Sequence, residues 1–219
     1  WENIYIVDYF KQRLAAPVVL ENDINALASA ERYYGIGKKY DSYLELQLDT
    51  GVGGGIILHG ELYRGSAGMG NQVGHITINM FGDKCKCGNI GCAELYASIP
   101  RMVQCGLAVN PQFYSWKRMV NLAYNGDDQA RKLIQMEAGY LSVVIVNVMN
   151  ILDLDAVVLG GEAAYKGGLL GEMTESIVNS RVMGRDVHHI PVILSRMPED
   201  GKMLAACNLI MESFIRTLL

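Results

Sequence analysis

Gly74-His75, followed by Cys85-Lys86-Cys87-Gly88-Asn89-Ile90-Gly91-Cys92-Ala93-Glu94, is the most informative stretch of this chain. Three cysteines fall within eight residues, and His75 stands ten residues ahead of Cys85. Three thiolates and one imidazole are a standard tetrahedral set for structural zinc. Gly88 and Gly91 allow the tight turns that bring Cys92 back toward Cys85 and Cys87. Four protein ligands leave no position for water, so His75, Cys85, Cys87 and Cys92 predict a structural zinc ion and not a catalytic one. The competing reading is a reduced, metal-free loop whose cysteines cluster by chance. Cys105 and Cys207 lie in apolar helical settings and read as core residues.

The segments on either side alternate between strand and helix patterns. Residues 1–13 read as a helix offering Ile4, Tyr5, Tyr9 and Phe10 for packing, and a chain that opens inside an element is expected to be part of a longer protein. Pro17-Val18-Val19-Leu20 has the form of a short buried strand, and residues 25–34 are helical in character. Tyr43–Leu48 alternates as a strand, and residues 51–55 read as a glycine turn. Ile56-Ile57-Leu58, His59-Gly60 and Glu61-Leu62-Tyr63 then read as strand, turn and strand. After the glycine-punctuated loop of residues 65–92 the chain becomes mainly helical. Residues 127–149 carry the strongest helical spacing, with Ala130, Leu133, Ile134, Ala138, Leu141 and Ile145. Ala156-Val157-Val158-Leu159 is a buried strand ending in Gly160-Gly161. Residues 169–180 read as helix, 191–194 as strand and 203–219 as a closing helix. Strands alternating with helices predict an α/β domain with a central sheet.

Composition limits the partners. The chain has 219 residues, 50% of them hydrophobic, and a formal net charge of -4. That length buries a full core in one large or two small domains. The mild acidity and the absence of a basic run longer than Lys38-Lys39 argue against direct contact with nucleic acid. The longest apolar stretch, residues 141–154, is broken by Asn147, Asn150 and Asp153, so no membrane span is expected. Nothing at the N-terminus has the form of a signal peptide, which points to the cytoplasm. Cysteines there are kept reduced, so a tight cluster suggests metal before disulfide.

The string from Gly74-His75 to Cys92-Ala93-Glu94 resembles the signature of the ROK family of sugar kinases and sugar-responsive repressors. Leu20-Glu21-Asn22-Asp23-Ile24-Asn25-Ala26 resembles that family's catalytic loop. Asp49-Thr50-Gly51-Val52-Gly53-Gly54-Gly55 resembles its second phosphate loop, and Val157-Val158-Leu159-Gly160-Gly161 its nucleotide-side motif. The resemblance covers most of the chain from Pro17 onward. It implies an actin-like, hexokinase-like (ribonuclease H-like) ATPase fold. It further implies that residues 1–219 are the sugar-binding C-terminal lobe with its zinc-binding loop. An N-terminal lobe with an Asp-Gly-Gly-Thr phosphate loop, and the winged helix-turn-helix domain of the repressors, are not found in this sequence.

Asn22-Asp23 follows a predicted strand, where α/β folds place ligand groups. In a kinase of this family Asp23 would be the general base that takes the proton of the attacking sugar hydroxyl. The plain alternative is that Asn22-Asp23 caps the following helix. The resemblance assigns sugar contact to Asn22, Asp23, Gln72, His75 and Glu94. It assigns ATP contact, in the kinase reading, to Thr50, Gly51, Gly53, Gly54, Gly160 and Gly161. His75 can hold zinc through one ring nitrogen and face the sugar with the other.

Three positions depart from the kinase pattern. Asn71-Gln72-Val73-Gly74-His75 stands where the family has Gly-Glu-x-Gly-His, so Gln72 replaces a charged contact by a neutral one. Asp49 replaces a glycine of the phosphate loop, adding bulk and negative charge where phosphates would approach. Glu199-Asp200-Gly201-Lys202-Met203 replaces a small Ala-Gly run. Leu159-Gly160-Gly161-Glu162, Glu94-Leu95-Tyr96-Ala97-Ser98 and Asn179-Ser180-Arg181-Val182 resemble the repressor branch. The leading expectation is thus the sugar-binding effector lobe of a repressor resembling the xylose and N-acetylglucosamine repressors. It would be homodimeric and reach DNA only through an upstream domain. The alternatives are an ATP- and Mg-dependent sugar kinase and a metal-binding structural module without a ligand.

Overall fold

The computed structural model describes residues 4–197 and 201–218, without the side chains of 216–218. Five strands form one mixed sheet in the order β3-β2-β1-β4-β5. They are β1 Tyr43–Leu48, β2 Val52–Leu58, β3 Glu61–Leu62, β4 Ala156–Gly161 and β5 Val192–Leu194. β1, β2 and β3 run antiparallel as a meander, while β4 and β5 join parallel to β1.

Every residue of β1 is buried, because both faces of the sheet are covered. Leu44, Leu46 and Leu48, with Val157 and Leu159 of β4, face the larger core. That core is built on α3 Glu94–Ala97, α4 Ile99–Val109, α5 Trp116–Tyr124, α6 Asp128–Leu152 and α7 Gly168–Arg181. Tyr43, Ala156 and Val158 face the other way and meet Ala28 of α2 Asp23–Tyr34. α2 packs in turn on α8 Gly201–Leu218. The period-two alternation of the strands therefore sorts their side chains between two helical layers.

α6 is the spine of the larger layer. Asp127 caps it by accepting from the Ala130 amide at 2.9 Å, and it ends at Asp153 in the left-handed region. By length and composition it is long and apolar enough to cross a membrane, although Asn147 and Asn150 interrupt its most apolar part. Half of its most apolar window is buried inside the fold, where it packs on α4, α5 and α7. Glu137 faces inward from this helix with neither carboxylate oxygen hydrogen-bonded, and burial pushes its carboxyl well above the usual range.

Several sequence expectations are corrected. Residues 17–20 form no strand, and Val19 and Leu20 are exposed; an extended segment becomes a strand only beside a partner, and none of the five strands pairs with it. Residues 53–55 are not a turn but the middle of β2. A Cβ at Gly53, Gly54 or Gly55 would strike Ile24, Val73 or Ala28, so these glycines let α2 and the Val73 loop press against the strand. The helix expected over residues 1–13 shrinks to α1 Ile6–Lys11, with Ile4, Tyr5, Tyr9 and Phe10 exposed. Cys207 is exposed and Cys105 only partly buried, so neither is a full core residue. Trp1, Glu199 and Asp200 lie outside the described residues.

Candidate functional site

The four sequence-predicted ligands converge. One ligand atom from each of His75, Cys85, Cys87 and Cys92 lies within 4.8 Å of the other three. Cys85 Sγ is 3.7 Å from His75 Nδ1, and Cys87 Sγ is 3.7 Å from Cys92 Sγ. Around a tetrahedral zinc with Zn–S bonds of ~2.3 Å, ligand atoms sit about 3.8 Å apart, so the cluster matches the size of that ion. The backbone builds this geometry locally. Thr77 bridges Cys92 and Lys84 bridges Ile90, while the Gly91 amide donates to Asp83 O at 2.9 Å. Gly91 has φ +63°, the left-handed turn the sequence reading required of it.

Burial divides the thiols. Desolvation pushes the Cys92 thiol up to about 12, whereas a hydrogen bond from the Asn89 backbone is the main influence holding exposed Cys87 below its ordinary value. A buried thiol that keeps its proton is stabilised as a thiolate by a cation, so these residues can hold a metal ion and release protons as they do so.

A second constellation lies at the carboxyl ends of the parallel strands, where α/β sheets place their ligands. A cavity of about 220 Å³ is lined by Asp23, Ile24, Gln47, Asp49, the 50–53 turn, Glu94 and Lys202. A neighbouring cavity of about 320 Å³ is lined by Leu27, Gln47, Asp49, Gly161, Ala164, Ser195 and Lys202, among others. Gln47, Asp49 and Lys202 border both. Asp49 is held there by its own bonding, since its Oδ1 accepts from the Glu162 amide at 2.8 Å. Gly161, with φ +72°, passes directly beneath that carboxylate. Lys202 Nζ lies 3.3 Å from Asp23 Oδ2.

The structure thus brings Asp23, Thr50, Gly51, Gly53 and Glu94 around one cavity and places Gly161 on the next. Glu94 accepts from the Val52 amide at 3.3 Å and pairs with Lys86 at 3.0 Å, linking the cysteine loop to the β1–β2 turn. Asn22 does cap α2, its Oδ1 accepting from the Ile24 and Asn25 amides. Gln72 is exposed, and His75 belongs to the cysteine cluster; neither borders the 220 Å³ cavity, nor does Asn22. Gly54 packs against Val73, and Gly160 abuts the Gln47 side chain. The sequence reading missed Gln47 as a site residue. Its signal was present, because Glu45 and Gln47 are polar at alternate positions of a strand otherwise made of Leu and Tyr. Glu45 is fully buried, its Oε1 accepting from Gln47 at 2.6 Å and its Oε2 without a hydrogen-bond partner; burial and nearby Glu31 push its carboxyl up to about 8.

Comparison with known proteins agrees with this architecture. The ROK family model matches residues 1–212. The chain is 29% identical over 215 residues to the xylose repressor of Bacillus subtilis strain 168, covering 98% of this chain and 56% of the repressor. It is 31% identical over 227 residues to the glucokinase of Thermotoga maritima, covering 97% and 71%. The crystal structure of a ROK family glucokinase from Streptomyces griseus with glucose and AMPPNP superposes with a TM-score of 0.83 at 27% identity, over 93% of this chain and 71% of that one. The chain therefore spans little more than half the length of the repressor it matches. Its mixed α/β sheet has the actin-like, hexokinase-like fold of these proteins, and the chain belongs to the ROK family.

Proposed function

We propose that this chain is the sugar-binding effector portion of a ROK-type transcriptional repressor. In this reading a sugar is held by Asn22, Asp23, Gln72, His75 and Glu94, and a structural zinc ion by His75, Cys85, Cys87 and Cys92. The observation that carries it is the place of Asp49. Its carboxylate borders both cavities and accepts from the backbone beside Gly161, the glycine pair that a nucleotide phosphate would approach. A phosphate brought there meets a negative charge at short range and a backbone amide already bonded, which opposes phosphoryl transfer. Asp23 keeps its value without catalysis, since a carboxylate is a strong acceptor for a sugar hydroxyl. The similarity to xylose repressors over 98% of the chain supports the same reading. A repressor of this kind would be a cytoplasmic homodimer that contacts DNA through an upstream domain.

The second reading is an ATP-dependent sugar kinase with Asp23 as general base and Mg·ATP at Thr50, Gly51, Gly53, Gly54, Gly160 and Gly161. It is supported by the shared cavity of Asp23, Thr50, Gly51 and Gly53, and by the similarity to glucokinases. The two readings separate in one experiment on the full-length protein. Xylose, glucose, N-acetylglucosamine and N-acetylmannosamine are supplied with saturating Mg·ATP, and ADP release is followed beside sugar-dependent release from an operator. The repressor reading expects operator release without turnover. Turnover of about 1 s⁻¹ or more, abolished in Asp23→Asn, would overturn it.

A further inference from the structure

We infer that Asn71 is a positioning residue, the end of a buried polar chain Arg64–Glu21–Asn25–Asn71 that fixes the loop bearing Gln72 and His75 against Asn22 and Asp23. The inference rests on the sugar-site reading above for its purpose, and on geometry alone for its existence. Asn71 Nδ2 donates to Asn25 Oδ1 at 2.8 Å and to Tyr63 O at 2.6 Å. Asn25 Nδ2 donates to Glu21 Oε1 at 3.0 Å. Glu21 Oε1 also accepts from the Asn22 amide at 3.0 Å, and its Oε2 pairs with Arg64 Nε at 2.6 Å. Asn25 and Asn71 are 4% and 8% exposed, so water competes little for these bonds.

The chain adds a direct polar link between two segments that otherwise meet only through their packing on β2. Arg64 and Asn71 stand at the two ends of one loop, which is closed by the Gly70 amide on Arg64 O at 3.0 Å. Both ends bond the segment leading into α2, where Glu21, Asn22 and Asn25 lie within one turn. Gln72 lies between Asn71 and Val73, so this connection and the packing of Val73 on Gly54 together set its place relative to Asn22.

The backbone gives the independent sign. Asn71 has φ +67°, a conformation that glycine adopts without strain and that any residue with a Cβ resists. A glycine would satisfy the turn more easily, but it has no amide to reach Asn25 and Tyr63. Asn is among the residues with a Cβ that enter this region most readily, so it meets the turn and supplies the two bonds together. Glu21 remains a charged acceptor at the centre of the chain: burial raises its carboxyl, and hydrogen bonds from Asn25, Arg64 and the Asn22 amide outweigh that and hold it below its usual value.

Asn71→Gly tests this without straining the fold, because glycine relieves the left-handed backbone while deleting only the amide. Hydrogen exchange of residues 70–76 is measured first, with no sugar present. The expected result is faster exchange confined to that segment, with unchanged metal content. Calorimetry with D-xylose, D-glucose and N-acetyl-D-mannosamine then reads the purpose. The affinity for whichever of these the unsubstituted protein binds should fall about tenfold, or about 1.4 kcal/mol. Arg64→Met, at the exposed end of the chain, should shift exchange and affinity in the same direction by less. Unchanged exchange in Asn71→Gly overturns the inference, and so does faster exchange with unchanged affinity. If the unsubstituted protein binds none of the three sugars, the sugar reading falls, while the exchange result still decides whether the chain positions the loop.

Discussion

Replacing Glu137 by Met should stabilise the protein, and by more at higher pH. Glu137 is fully buried in α6, and neither carboxylate oxygen has a hydrogen-bond partner. Desolvation alone raises its carboxyl well above the ordinary 4.5, so the folded protein holds that proton to higher pH than the unfolded chain does. The unfolded chain releases that proton near the ordinary value. Between those two points the folded state binds the extra proton, and stability falls as pH rises. The contribution is fully present below about 4.5 and declines by about 1.4 kcal/mol per pH unit above it. Relief of the unpaired acceptors adds about 1–3 kcal/mol to this. Met follows the same path from the helix and fills similar space without a polar atom. Urea unfolding of both proteins at pH 5, 6, 7 and 8 gives the comparison. Glu137→Met should be the more stable throughout, with a gap that widens by about 1.4 kcal/mol per unit until the folded carboxyl begins to ionise. A gap that is constant across this range, or a variant less stable at pH 8, would refute the reasoning.

Two further perturbations address the site. Cys92→Ser should abolish near-unit zinc by elemental analysis and lower stability, because structural zinc contributes on the order of 10 kcal/mol of folding free energy in small zinc domains. A metal-free variant as stable as the original protein would remove the structural role. Asn22→Ala should cost about 1 kcal/mol in urea unfolding through the lost cap on the Ile24 and Asn25 amides, while Asn22→Asp retains it. If Asn22→Ala proved neutral, the cap would carry no weight.

The elements that the sequence identified well are those whose neighbours in the fold merely accept their pattern. β1, the β2–β3 hairpin, α6, β4 and α7 were visible because their apolar residues repeat with the period of the element that forms. The segment at residues 17–20 shares Val-Val-Leu with β4 but has no strand beside it, and composition cannot reveal a missing partner. Residues 53–55 misled for the opposite reason. Three glycines have no side-chain pattern, and their place in a strand is set by Ile24, Val73 and Ala28 pressing on it.

The sequence by itself determined the His/Cys cluster that could hold a metal, because His75, Cys85, Cys87 and Cys92 fall within eighteen residues and short-range turns suffice to gather them. It also determined the α/β class, since alternating periodicities leave few ways to bury both faces of a sheet. Tertiary structure alone decided the rest of the site. Asp49 meets the Glu162 amide only because β1 and β4, 113 residues apart, lie side by side. Lys202 reaches Asp23 only because α8 packs on α2. The chain from Arg64 to Asn71 exists only because a loop folds back on the start of α2. A hydrogen bond needs donor and acceptor within about 3 Å and well aligned. Residue types and short spacings fix that for neighbours in the chain, whereas for distant residues only the packing of the elements that carry them can do so.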